Sequence, residues 1–437
     1  MKAIGLDIGT TTICGVLLDA ETGEQLARYT LANDTAVYTP NSWEKLQDPE
    51  KIEQCCRNIL YRLIAEYEDI AAIGVTGQMH GIVYLNNMGQ PVSPLITWQD
   101  GRGNRITDNG STYAENISAL TGTALATGYG AVTHYVNTQN HQIPEKAASF
   151  CTIADYIALR LAGLSKPVLH CSMAASLGLF DLEKNIFDHK LIEKAGMDCS
   201  YFPEVQQEEK KIGLWQGKIP VSAAFGDNQA SFMGAVPQNG KVLVNVGTGS
   251  QISVLAEEVR SFEQLECRPY RNGQYLYVGS SLCGGYAYAL LKRFFESVLQ
   301  MCNVQPEADL YGFMNQAAEN ALQIYSASGM YADVRFNGSR ANPDIRGKIE
   351  NISADNFDAQ GLTLAVLQGI CKELHNYYLE TGISSDVPYI TASGNGIRRN
   401  KLLQQLFRQQ FGKEIRISQC EEEAACGSAL FALSQTE

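Results

Sequence analysis

Two stretches of this chain repeat one pattern. MKAIGLDIGTTTICGVLLD opens it, and GKVLVNVGTGSQISVLAEE lies far downstream. In each, alternating apolar residues run into a turn of Gly and Thr and alternate back out. Each therefore predicts a β-hairpin, at residues 4–18 and 242–255. A hairpin made twice points to an internal duplication, although two unrelated hairpins using Gly and Thr for turn geometry explain the pattern equally well. Length bounds the domain count: 437 residues with 45% hydrophobic content exceed what one core ordinarily holds, so two domains of about 200 residues each are expected. The break is placed near WQGKIP, giving domains 1–219 and 220–437.

The rest of the chain alternates strands and helices, which predicts an α/β architecture. In the first half, residues 25–31 read as a third strand, 50–66 as a helix, 71–85 as strand, Gly-rich loop and strand, and 149–161 as a helix carrying Asp155 and Tyr156. In the second half, 220–228 read as a strand ending in Gly-Asp, 286–300 and 362–380 as amphipathic helices, 387–407 as strand, Gly turn and helix, and 424–433 as a final helix.

The net charge of -13 argues against nucleic acid or an anionic membrane as the main partner. It leaves room for an anionic small molecule, because a nest of backbone N–H groups holds phosphate on an acidic protein. Twelve scattered cysteines with no CxxC, in a chain too large to need a disulfide framework, read as a reducing cytoplasm. Asp7 interrupts any apolar leader, and no stretch approaches the roughly 18 uncharged apolar residues of a membrane span.

The Gly-Thr turns carry the chemistry. Glycine lets the backbone approach phosphate oxygens, and Thr adds donors. Two such turns suit a polyphosphate. Only one copy needs a carboxylate for Mg²⁺ and its water shell, which is Asp7; the second copy has Asn245. Other nucleotide and metal signatures are missing: no GK pair is followed by Ser or Thr, there is no GxGxxG or HExxH, and the His residues show no ligand spacing.

Beyond the hairpins, GVTGQMHG (74–81), TWQDGRG (97–103), FGDNQAS (225–231) and SGNGIRRN (393–400) follow in order. Together these segments resemble the FGGY family of carbohydrate kinases over nearly the whole chain. That resemblance implies two duplicated ribonuclease H-like domains of the actin, hexokinase and Hsp70 ATPase superfamily, with an interdomain cleft. It also implies phosphorylation of a sugar by ATP with Mg²⁺. Within the family, TWQDGR, ATGYGAVT (126–133), ADYIALRLAG (154–163) and AASLGLFDL (174–182) are most similar to the branch that phosphorylates sedoheptulose at its terminal hydroxyl. Xylulose or another ketose is the alternative acceptor; a catalytically silent sugar-binding relative is another. A homodimer is common in related kinases.

Residue roles follow from the same resemblance. Asp227 matches the catalytic base that takes the proton of the attacking hydroxyl; from the residues alone it reads equally as a helix N-cap. Gln78, Met79 and His80 match the sugar loop, with amide and imidazole for hydroxyls and Met for C–H faces; a lone His is ordinarily structural. Asp100 and Asn228 are placed on further hydroxyls. Trp98 either stacks on the sugar or sits in the core. Gly9, Thr10, Thr11 and Thr12 form the first phosphate turn, and Gly247, Thr248 and Gly249 the second. Gly394, Asn395 and Gly396 match the adenosine motif, or are a plain strand-to-helix turn, and Gly284 and Gly285 join the nucleotide set. FNGSRANPDIRG (336–347) reads as structural, with Arg340 and Arg346 in buried ion pairs. One position departs from the pattern. Family members commonly carry Arg or Lys shortly after the first turn, and this chain has Cys14. The chain is also short for the family.

Overall fold

The computed structural model describes residues 1–436 apart from 238, 306–308, 326–328, 340–341, 343 and 384–386. It divides into two compact units. The first comprises Met1–Gly234, Arg268–Gly273 and Cys420–Glu437, and the second Ala235–Cys267 and Gln274–Gln419.

In the first unit, β1 (Lys2–Ile8), β2 (Thr12–Asp19) and β3 (Glu24–Ala32) form an antiparallel meander. Helix α1 (Pro49–Glu66) then carries the chain to β4 (Ile70–Gly77), which lies parallel to β1. Asp48 caps α1 by accepting from the Glu50 and Lys51 N–H groups, and Pro49 sits in its first turn, where a missing N–H does no harm. Its apolar residues Ile52, Cys56, Ile59, Leu60 and Leu63 share one face and are buried against the sheet. The sheet ends with β5 (Ile219–Val221), parallel to β4, so its order is β3-β2-β1-β4-β5, extended by the short strand Gly213–Trp215.

The second unit repeats this arrangement. Here β7 (Val242–Val246), β8 (Ser250–Ala256) and β9 (Tyr275–Ser281) form the meander, and β10 (Tyr389–Ser393) and β11 (Glu414–Ile417) add parallel to β7, in the order β9-β8-β7-β10-β11. Strand order and direction therefore match position for position, which makes the two hairpins copies of one element and settles the opening pattern in favour of duplication.

The expected helix over 149–161 is a short strand, Ser149–Cys151, followed by α2 (Ile153–Ala162), because Thr152 and Asp155 build a capping box that starts the helix later. The single strand expected over 220–228 is interrupted. Val221 pairs with Ile73 and Phe225 with Thr76, so four steps along one chain face three along the other, and the surplus residue is looped out before β6 (Phe225–Gly226). Residues 220–234 and the C-terminal helix Glu423–Leu433 both belong to the first unit. The helix packs Ala425, Cys426 and Ala429 against Ala3, Cys14, Val16 and Ala72. Its small residues permit close approach: a Cβ on Gly5 would lie 1.8 Å from the Ala425 carbonyl oxygen.

Among the described residues one disulfide is present, Cys420–Cys426, which scattered cysteines and the absence of CxxC do not foretell. Arg346 is exposed; Arg340 lies outside the described residues. No helix among the described residues is long and apolar enough to cross a membrane.

Candidate active site

In the first unit, three parallel strands end together. Ile8 of β1 pairs with Gly77 of β4, and Gly77 pairs with Gly226 of β6. The Gln78 N–H donates to the Ile8 carbonyl at 2.9 Å. Asp7, Gln78 and Asp227, far apart in sequence, thus meet at the carboxyl end of one sheet, where open α/β sheets present ligand sites. Asp227 is the first residue of α4 (Asp227–Ala235), so strand end and helix start coincide there.

The charges at this edge are crowded. Burial, then the negative charges of Asp227 and Glu422, push the Asp7 carboxyl up to about 7. Negative charges that raise the proton affinity of Asp7 also favour a nearby cation. Among the described residues no group of three or more His, Cys, Asp or Glu side chains is arranged to hold a metal. Asp7 itself is a carboxylate oxygen donor, the ligand type that Mg²⁺ takes singly or in pairs while keeping several waters.

The first turn is braced on several sides. Asn33 donates to the Gly9 carbonyl at 2.8 Å, and Gln47 to the Thr10 carbonyl at 2.9 Å. The Asn33 N–H donates to the Thr11 carbonyl at 2.9 Å. Thr11 and Thr12 are exposed. The Trp98 indole N–H donates to Thr10 Oγ1 at 3.0 Å, and the ring is 45% exposed, so Trp98 is not a core residue.

Gln78 is buried; its Nε2 donates to Gln47 at 2.9 Å, while its Oε1 has no hydrogen-bond partner. A buried amide oxygen left in this way is costly and favours a polar ligand or water. Met79 is buried beside Gly226. His80 adopts a left-handed backbone, φ 72°. Its Nδ1 lies 2.6 Å from the Ser176 carbonyl. A carbonyl only accepts, so Nδ1 carries a proton and donates to it. Tyr129 packs on the ring at 4.7 Å.

Asn228 is buried next to Asp227. Asp100 is fully buried. Its carboxylate accepts from Arg102 Nε at 2.7 Å and from the Lys45 N–H at 3.1 Å; Arg102 in turn reaches Asn137 at 2.7 Å. Asp100 thereby fixes the loop that carries Trp98.

In the second unit the three glycine segments converge on the end of β7. The Gly247 N–H donates to the Gly249 carbonyl at 2.9 Å, closing the turn. The Gly285 N–H donates to the Gly247 carbonyl at 2.8 Å and the Tyr286 N–H to the Thr248 carbonyl at 2.9 Å, which docks the start of α5 (Gly284–Met301) on it. A Cβ on Gly285 would meet the Gly247 oxygen at 2.4 Å, one on Gly284 the Gly249 oxygen at 2.5 Å, and one on Gly394 the Val246 oxygen at 2.5 Å. Gly394 also has φ 88°. Asn395 begins a short helix, Asn395–Arg398, which brings Gly396 over the same strand end, its own Cβ position 2.8 Å from the Val246 oxygen. The turn lies against the first residues of an 18-residue helix that lacks acidic residues in its first turn, an arrangement that favours phosphate. Asn245 takes the place of Asp7 and donates to Ser393 at 2.8 Å.

Cys14 lies directly across the hairpin from Asp7. It is buried, accepts from Thr30 Oγ1 at 3.4 Å, and burial pushes its thiol up to about 11, so it stays neutral. Arg28 carries charge on the neighbouring strand and pairs with Glu421 and Glu422 at 3.0 and 3.1 Å.

Motif reading missed Asn33, Gln47 and Glu422. None sits in a recognisable motif; each arrives from a distant element.

A duplicated β3-β2-β1-β4-β5 sheet, with carboxylates at the strand ends of one copy and glycine turns at those of the other, is the kind of fold that kinases of small molecules use. The family comparison agrees. Residues 2–234 match the N-terminal domain of the FGGY family of carbohydrate kinases, and residues 242–436 match its C-terminal domain. The chain belongs to the FGGY family of carbohydrate kinases. Among curated relatives, it is 27% identical to the sedoheptulokinase of Mus musculus, covering 99% of this chain and 97% of that protein. Among solved structures it is similar to a xylulose kinase from Rhodospirillum rubrum (TM-score 0.83, 20% identity, 99% of this chain and 89% of that one). A gluconate kinase from Lactobacillus acidophilus is comparably similar (TM-score 0.82, 21% identity, 100% and 89%).

Proposed function

We propose that this protein transfers the γ-phosphoryl group of ATP to the terminal hydroxyl of a ketose, with D-sedoheptulose as acceptor and sedoheptulose 7-phosphate and ADP as products. The observation that carries the reading is the meeting of Asp7, Gln78 and Asp227 at one sheet end. Asp227 is the general base. Its carboxylate accepts the proton of the attacking hydroxyl as that oxygen bonds to phosphorus. Gln78 Oε1 and His80 Nε2 accept from sugar hydroxyls, Asn228 adds a further polar contact, and Met79 and Trp98 face the C–H edges. Asp100 acts by holding the Trp98 loop.

The turns Gly9–Thr12 and Gly247–Gly249, with Gly284, Gly285 and Gly394–Gly396, bind ATP. Asp7 would hold Mg²⁺, and the ion, when bound, would neutralise phosphate charge. With Cys14 neutral, no side chain at that position shares this work, so backbone N–H groups and the metal carry it. The choice of sedoheptulose rests on the 27% identity over nearly the whole length of a sedoheptulokinase.

The test is ADP release with Mg·ATP across sedoheptulose, xylulose, ribulose, fructose, glycerol and no sugar. Highest kcat/KM with sedoheptulose is expected. Preference for another ketose moves the acceptor but keeps the mechanism, whereas no stimulation by any sugar overturns the reading. Asp227→Asn is expected to fold normally and lower kcat by roughly 10² to 10⁴; near-normal turnover removes Asp227 from the role of base.

A further inference from the structure

Asp227 follows a strand of only two residues, Phe225–Gly226, tethered to β4 by the pairs Phe225–Thr76 and Gly226–Gly77. A ladder this short fixes little by itself, yet a general base must be held within a fraction of an ångström of its working position. A further restraint comes from α3 (Cys171–Ser176) and the residue before it. The Gly226 N–H donates to Ser172 Oγ at 2.9 Å. Ser172 Oγ lies 2.8 Å from His170 Nδ1, and the Ser172 N–H also donates to that nitrogen at 3.2 Å.

Cys171 Sγ lies 3.7 Å from both ring nitrogens. One proton lies between Nδ1 and the Ser172 hydroxyl, and whichever atom carries it, a lone pair of Ser172 Oγ stays available to the Gly226 N–H. Nε2 faces Glu209 Oε1 at 3.7 Å. The same oxygen accepts from the Asn272 N–H at 2.6 Å, and Arg271 Nε lies 3.5 Å from the other oxygen. The imidazole is wedged between aromatic rings, 5.2 Å from Phe225 and 5.0 Å from Phe431, which stack on each other at 4.1 Å. His170 is 2% exposed and Ser172 1%.

We propose that Ser172, oriented by His170, is a positioning residue for Asp227. The chain His170–Ser172–Gly226 holds the peptide from which the base projects, without touching substrate. Burial alone does not require it: an apolar pair would fill the same volume without the directional bond to Gly226. The inference rests on the assignment of Asp227 as base, and its test separates the two.

Ser172→Ala, Ser172→Thr and Asp227→Asn are assayed with Mg·ATP and the best sugar of the panel above. Ser172→Ala is expected to lower kcat about tenfold while KM for sugar and ATP stays within about twofold. Ser172→Thr, which keeps the acceptor oxygen, recovers most of the loss. A purely structural serine would lower melting temperature or active fraction without this split or this rescue. Normal kcat in Ser172→Ala, beside an Asp227→Asn variant lowered at least 100-fold, overturns the inference and leaves the base intact. Normal kcat in Asp227→Asn overturns both. Should Ser172→Ala not fold, Ser172→Cys keeps the volume but accepts poorly, and normal kcat there overturns the inference equally.

Discussion

Asp7 shows how a single side chain can weigh against stability and serve function. It sits among the negative charges of Asp227 and Glu422, partly desolvated. Without a cation this crowding is repulsive, and neutralising one member relieves it. Asp7→Asn is therefore expected to raise the metal-free melting temperature by about 1 °C, the shift that roughly 1 kcal/mol produces in a chain of 437 residues. The same change is expected to raise the Mg·ATP concentration needed for half-maximal rate, leaving sugar affinity within about twofold. Calorimetry without metal and a Mg·ATP titration check both halves; a lower melting temperature together with unchanged Mg·ATP dependence would assign Asp7 to folding alone. Asn245 avoids the conflict, since an amide donating to Ser393 adds no charge to the place where the second turn would bind phosphate.

Elements position these residues, and some elements set the chain's tolerance of pH. The helix Gly130–Gln139 buries His134 completely, with its Nδ1 2.9 Å from the Tyr84 hydroxyl and its ring among Phe150, Tyr201 and Phe202. Burial holds its pKa down, at about 4 against an ordinary 6.5. Between those values the unfolded chain binds a proton that the folded chain refuses, so stability is complete above 6.5 and falls as pH drops toward 4. The loss approaches roughly 3 kcal/mol. His134→Phe is expected to flatten this acid limb in urea unfolding measured at pH 4.5 and 7.5; an unchanged limb would place the acid sensitivity elsewhere. In the second unit, Gly285→Ala puts a methyl 2.4 Å from the Gly247 oxygen. It should displace the second phosphate turn and raise KM for ATP at least tenfold, with KM for sugar little changed. An ATP KM within twofold of wild type would show that the turn does not contact nucleotide.

At the scale of the whole molecule, what could be read from residues was what is encoded locally. The hairpins, the Gly clusters 247–249, 284–285 and 394–396, and the sugar-loop residues carry their geometry in adjacent positions, and their elements were legible to within a few residues. What depends on distant packing was not. Nothing near residue 422 announces that the C-terminal helix returns to the first sheet and brings Glu422 toward Asp7, because small apolar residues fit against either sheet. Likewise FGDN reads as the start of the second half, but the pairing of Phe225 with Thr76 assigns Asp227 to the first unit.

That assignment has a consequence for how ligands stabilise the protein. If the acceptor site and the base belong to one unit and the glycine cradle to the other, each ligand should protect its own unit, since a ligand stabilises the folded elements it contacts. In hydrogen exchange, the acceptor sugar alone is expected to slow amides at 77–81, 97–100 and 226–228. A non-hydrolysable ATP analogue with Mg²⁺ should act mainly at 247–250 and 394–398, with a smaller effect at 9–12. Sugar protection at the glycine cradle and none near Gln78 would reverse the division of labour, and with it the role given to the first unit.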